Sequence, residues 1–212
     1  MGDNIRNRGT VICLIIFVMI ASLVTGRTNA QSATTRFAIT IRIHGIGTGG
    51  DNVSSPGSGT VNPLHAQHPI TVTVYDASNT LVATKTGNVS YNASIGQFQG
   101  VIDMGALQNG VYTALVKTDQ TLRRSFPGII SVSAGQTITL PIVTLITGDV
   151  NNDNVLSIAD YAMILDCFSD LSAARNCSDN LKKTATDITD DGSVNQFDYN
   201  LFLRCYRDWE TS

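Results

Sequence analysis

Oxygen-bearing residues recur at fixed intervals in Asp149-Val150-Asn151-Asn152-Asp153-Asn154-Val155-Leu156-Ser157-Ile158-Ala159-Asp160. Counted from Asp149, side-chain oxygens stand at positions 1, 3, 5, 9 and 12, as Asp149, Asn151, Asp153, Ser157 and Asp160, and Val155 offers its carbonyl at position 7. A hard cation such as calcium takes six to eight oxygens at about 2.3–2.6 Å, and a tight loop that turns alternate residues inward supplies them at this spacing. Position 6, where glycine usually provides a positive φ, is Asn154; asparagine tolerates that conformation best after glycine. A second stretch, Asp187 to Asp198, repeats the pattern with Asp187, Thr189, Asp191, the Ser193 carbonyl, Asn195 and Asp198, and keeps Gly192 at the turn. The Thr189 hydroxyl is a poorer donor than a carboxylate or amide oxygen, so two calcium sites are expected with the second the weaker.

Such loops need helices to carry them away. Ile158, Tyr161, Ala162, Ile164, Leu165 and Phe168 fall on a helical stripe, and so do Phe197, Leu201, Phe202 and Tyr206. Asp149, Asp153, Asp160, Tyr161, Leu165 and Cys167 overlie Asp187, Asp191, Asp198, Tyr199, Leu203 and Cys205 at a constant offset of 38, an internal duplication. The first loop has no helix before it, because Leu140 to Ile146 reads as strand and contains Pro141.

From Arg36 to Leu145 the pattern is β. Seven runs, beginning with Phe37-x-Ile39-x-Ile41-x-Ile43 and ending with Thr137 to Leu145, are bounded by turn residues. Links such as Asp76-Ala77-Ser78-Asn79 and Gln108-Asn109-Gly110 read as hairpins. The expected architecture is therefore multidomain: a Greek-key β-sandwich of about seven strands over 31–146, then a small all-α calcium-binding domain over 147–212. Gly45 to Gly59, rich in Gly, Ser, Asp and Asn, reads as a long loop.

The 212 residues carry a net charge of −3, but residues 147–212 hold twelve acidic against five basic side chains, so the acidity gathers around the two loops. Glu210 is the only glutamate, which leaves paired-glutamate glycosidase chemistry without its residues. The absence of a basic, aromatic-interleaved cluster argues against a nucleic-acid partner. Arg6 and Arg8 precede an apolar run of fourteen residues, Val11 to Val24, and Thr28-Asn29-Ala30 follows. That order predicts a secretory signal over 1–30, because fourteen residues rise only about 21 Å as a helix, short of a bilayer core. Cleavage would leave no membrane span and three cysteines, Cys167, Cys177 and Cys205, in a secreted or cell-surface protein.

Gly148-Asp149-Val150-Asn151-x-Asp153 in the first copy and Asp191-Gly192-x-Val194-Asn195-x-x-Asp198-Tyr199 in the second resemble the dockerin module of type I over residues 147 to about 208. That resemblance implies a calcium-folded, EF-hand-like module that plugs a secreted protein, in most cases a polysaccharide-degrading enzyme, into a cohesin domain. It places the partner-reading positions at Ile158, Ala159 and Asp166 in the first copy and at Gln196, Phe197 and Arg204 in the second. The family often has Ser-Thr with Lys or Arg there, and this chain departs from that. Asp166 against Arg204 also makes the two faces unlike in charge, which disfavours interchangeable docking. If the exit helices are antiparallel, as the resemblance implies, Cys167 and Cys205 are too far apart to bond, and Cys167–Cys177 is expected, with Cys205 outside the bond.

The β region resembles the immunoglobulin-like and carboxypeptidase-regulatory-like modules of bacterial surface proteins, with Asn109 to Thr113 as a strand opening found there. Its aromatics Tyr75, Tyr91, Phe98, Tyr112 and Phe126 are the candidates for a polysaccharide platform, with Phe98 and Tyr112 expected inside. His44, His65 and His68 are a weaker candidate metal cluster. The sequence therefore reads as a non-enzymatic interaction module attached to a spacer or carbohydrate-binding sandwich. The alternatives are an accessory polysaccharide hydrolase with its site in the sandwich, and a calcium-stiffened structural protein.

Overall fold

A computed structural model of the chain describes residues 34–48, 60–169, 177 and 179–210. The expected signal segment and most of the 45–59 loop lie outside the described residues. Five long strands carry the β region: β1 (Thr35–Ile43), β2 (Gln67–Asp76), β3 (Leu81–Asn92), β4 (Gln97–Gly105) and β5 (Gly110–Thr118). Four short ones follow: β6 (Arg124–Ser125), β7 (Ile130–Val132), β8 (Thr137–Thr139) and β9 (Val143–Leu145). Alternation does what the period of two requires: Phe37, Ile39, Ile41 and Ile43 of β1 and Tyr112, Ala114 and Val116 of β5 turn inward to meet Phe98, Ile102 and Phe126.

Among the described residues nine strands stand where about seven were expected, in one hydrogen-bonded sheet ordered β6-β5-β2-β3-β4-β1-β8, with β7 beside β5 and β9 beside β1. The run Thr137 to Leu145 is broken because Pro141 has no N–H for a ladder, so β8 and β9 pair separately, each parallel to β1. The Asp76–Asn79 link is a hairpin: Asp76 Oδ1 accepts the Ser78 and Thr80 N–H groups at 2.8 and 2.9 Å, and β2 pairs antiparallel with β3. The Gln108–Gly110 link is not. It carries the chain from β4, which lies between β3 and β1, across to β5 beside β2. Tyr112 Oη fixes the crossing by donating to the Gln108 carbonyl at 3.0 Å, and Asn109 Oδ1 accepts the Ala134 N–H at 2.7 Å.

Three helices follow among the described residues: α1 (Ile158–Cys167), α2 (Asn180–Thr186) and α3 (Gln196–Glu210). They close a second core of Leu156, Ile164, Ile188, Val194, Leu201 and Phe202, to which the β region contributes Leu122. All described residues lie in one compact unit. At Gly45, with φ +84°, a Cβ would sit 2.1 Å from Leu201 Cδ2 of α3. Glycine is required there both by the left-handed backbone and by this close approach.

Candidate functional site

Both acidic loops are built on the same hydrogen-bond frame. In the first, the Asn154 N–H donates to Asp149 Oδ2 at 3.0 Å, the Asn151 N–H to Asp160 Oδ1 at 3.1 Å, the Ser157 N–H to Asp160 Oδ2 at 2.9 Å, and the Val155 N–H to Asp153 Oδ1 at 2.8 Å. In the second, Gly192 donates to Asp187 Oδ2 at 2.8 Å, Thr189 to Asp198 Oδ1 at 2.9 Å, Asn195 to Asp198 Oδ2 at 2.9 Å, and Ser193 to Asp191 Oδ1 at 2.9 Å. The donors stand at positions 6, 3, 9 and 7 in each copy. Positive φ also falls at equivalent places, Asn152 (62°) with Asp190 (54°) and Asn154 (70°) with Gly192 (92°). Leu156 and Val194, the position-8 residues, anchor both loops in the second core.

The last acid of each loop doubles as a helix start. Ser157 caps α1 and Asp160 returns a bond to the cap, a capping box. Asn195 Oδ1 accepts the Phe197 N–H at 2.7 Å at the start of α3. Loop and helix therefore order together.

The side chains at positions 1, 3, 5, 9 and 12 of both loops all carry oxygen, the donor type that a hard divalent cation takes. Asp149, Asp160 and Asp198 are fully buried and Asp187 nearly so, and burial is costly for a charged carboxylate that no cation faces; Asp149 alone of these is met by a lysine, Lys117, among the described residues. Asp149 Oδ1 is buried with no hydrogen-bond partner among the described residues. Burial, and then the Asp198 charge, push the Asp187 carboxyl up to about 7, and burial pushes Asp198 up to about 6 against the Asn195 and Thr189 N–H groups that favour its charge. Among the described residues no three His, Cys, Asp or Glu side chains converge as a metal cluster. Only half of the proposed donors in each loop are carboxylates; the others are Asn, Ser or Thr side chains and one carbonyl.

These raised values fix a pH dependence. Between about pH 4 and pH 7 the folded, calcium-free chain holds protons on Asp187 and Asp198 that the unfolded chain has released, so stability falls as pH rises through that window. The calcium-free protein is expected to melt higher at pH 5 than at pH 7.5, and calcium binding near pH 6.5 to release protons. Melting that rises steadily from pH 5 to 7.5 without calcium would contradict this.

Residues 147–204 match the family model of the dockerin type I domain. No curated protein matches the chain. Among solved structures, a chain of an N-terminal interface mutant of a type II cohesin–X–dockerin complex from Acetivibrio cellulolyticus is similar at 19% identity and a TM-score of 0.47, over 80% of this chain and 94% of that one.

Within the matched segment, Cys167 and Cys177 are bonded, with Cα atoms 4.8 Å apart. Cys205 is buried, its Sγ 3.6 Å from His44 Nδ1. Of the candidate partner residues, Ile158, Ala159, Asp166, Gln196 and Phe197 are exposed and Arg204 is half-buried. Asp166 is held by Lys182 Nζ at 2.9 Å. Ile158 is 76% exposed and Phe197 37%; Ile158, with Tyr161, Tyr199, Leu203 and Tyr206, lines a groove of about 420 Å³ across α1 and α3.

Three side chains of the β region reach the acidic loops without a signal in the sequence. Lys117 Nζ donates to Asp149 Oδ2. His65 Nδ1 lies 2.5 Å from Asp190 Oδ1, and His68 Nε2 lies 4.0 Å from Asp190 Oδ2. His44 stands apart, beside Cys205, so the three histidines do not form one cluster. Of the β-region aromatics, Phe98, Tyr112 and Phe126 are buried, and Tyr75 and Tyr91 are half-buried.

Proposed function

We propose that residues 147–208 are a calcium-dependent interaction module of the dockerin kind, with one calcium ion in each loop and a cohesin-like domain as partner, and that the β region is the spacer it attaches to. The observation that carries the reading is the identical hydrogen-bond frame in two loops 38 residues apart, on the segment that matches the dockerin type I domain. That family is one of interaction modules rather than of catalysts. Secretion follows from the amino-terminal pattern and suits the calcium concentrations that such loops need. A spacer is favoured over a carbohydrate platform because three of the five candidate aromatics fill the core of the β region.

Ile158 and Phe197 are the proposed anchors. Each sits at a helix start, is not required by the ion, and exposes apolar surface that gains nothing from water. Asp166 contributes through its exposed carboxylate, although Lys182 competes for it. Leu201 and Cys205 of α3 face Gly45 and His44, so α1 and α3 do not present equivalent surfaces.

The test is surface capture of the full chain by a panel of immobilised cohesin domains, in calcium and in chelator. Capture in calcium only is expected, and Ile158→Asp or Phe197→Ala should weaken it by about tenfold or more with calcium affinity intact. No capture by any cohesin would remove the partner assignment. Unchanged capture by both variants would remove these residues from the interface.

A further inference from the structure

A lysine on the first loop is not something calcium ligation calls for. The Lys117 side chain leaves β5, is only 13% exposed, and donates from Nζ to Asp149 Oδ2, the position-1 donor. Asp149 is fully buried, and the same Oδ2 already accepts the Asn154 N–H. The segment beyond β5 braces the contact: the Arg123 N–H donates to Asn154 Oδ1 at 2.6 Å, the Leu122 N–H to the Ile146 carbonyl at 2.8 Å, and the Gly148 N–H to the Gln120 carbonyl at 3.0 Å. The ammonium is thus held at the loop by the fold and not by a mobile surface chain. The second loop is met from the β region by His65 and His68 instead, on Asp190, whose side chain stands outside the donor positions.

Resting on the reading of both loops as calcium sites, we propose that Lys117 is a tethered counter-ion of the first loop, lowering its calcium affinity below that of the second and holding it in shape when calcium is withdrawn. Each loop carries three carboxylates within its twelve residues, Asp149, Asp153 and Asp160 against Asp187, Asp191 and Asp198. Lys117 cancels one charge in the first set only. In a buried site an ammonium beside a shared oxygen repels an incoming divalent ion strongly, because screening by water is weak there. The same ammonium relieves carboxylate repulsion in the ion-free loop. The resulting order of affinities is the reverse of that expected from the Thr189 hydroxyl alone.

Two measurements on the full chain test this. In the unmutated protein under chelator, the Asn151 and Asn154 amides, bonded to Asp160 and Asp149, should exchange hydrogen at least about tenfold more slowly than the Thr189 and Gly192 amides, bonded to Asp198 and Asp187. Calorimetric calcium titration should show a weaker event that Asp153→Ala removes and that Lys117→Gln tightens by about tenfold or more, with Lys117→Arg close to the native protein. Equal or reversed protection, a weaker event that belongs to the second loop, or a Lys117→Gln chain with unchanged constants would overturn the proposal. Calcium binding with those results leaves the loop reading standing, whereas no calcium binding at all removes both.

Discussion

Saturating calcium is expected to raise the unfolding temperature of the full chain, followed in the helical band of circular dichroism, by roughly 10–20 °C over the chelated protein. A ligand at a hundred times its dissociation constant adds about 2.7 kcal/mol per site, so two sites add about 5 kcal/mol. For a chain of this size each kcal/mol moves the midpoint by about 2–4 °C. The effect is large because loop and helix start share their residues: Ser157 and Asp160 form the capping box of α1, and Asn195 caps α3 beside Asp198. Equal midpoints with and without calcium would mean that the loops bind nothing.

The largest effect of a single substitution is expected at Asp198. Its carboxylate is fully buried and accepts the Thr189 N–H at 2.9 Å, the Thr189 hydroxyl at 3.0 Å and the Asn195 N–H at 2.9 Å, and it is also the last donor of the second loop. Asp198→Ala leaves those donors unsatisfied, at about 1–3 kcal/mol for each one buried away from water, and takes a charge from the ion. Calcium affinity at that loop should fall by more than about 100-fold, beyond what loss of an outer-shell partner costs. Thr189→Ala, which keeps the carboxylate and its backbone bonds, should have a much smaller effect. Equal losses in the two variants, measured by calcium titration, would contradict the role given to Asp198.

Local chemistry explains why the loops could be read directly from the residues. The donors, the positive-φ positions and the caps all lie within twelve consecutive residues, so spacing alone determines which N–H meets which carboxylate. Asn154 at φ 70° takes the place of a glycine without altering that frame. The alternation in β1 and β5 was equally plain, because one face of each is buried. Longer-range pairings left no such trace. The Lys117–Asp149 contact spans 32 residues and the His65–Asp190 contact 125, and neither residue lies in a pattern that marks it. The Gln108–Gly110 link has hairpin residues, yet β5 pairs with β2 because Val72, Val74, Ala114 and Val116 close the core together. Pro141 was visible as a strand breaker, but not the fact that both pieces return to the same neighbour, β1.

Equilibrium dialysis of the full chain against radiolabelled calcium tests the central claim most directly. Two ions per chain are predicted, falling to one in Asp187→Ala, whose side chain opens the second loop and accepts its turn N–H groups. No bound calcium, or two ions retained in that variant, would contradict the account.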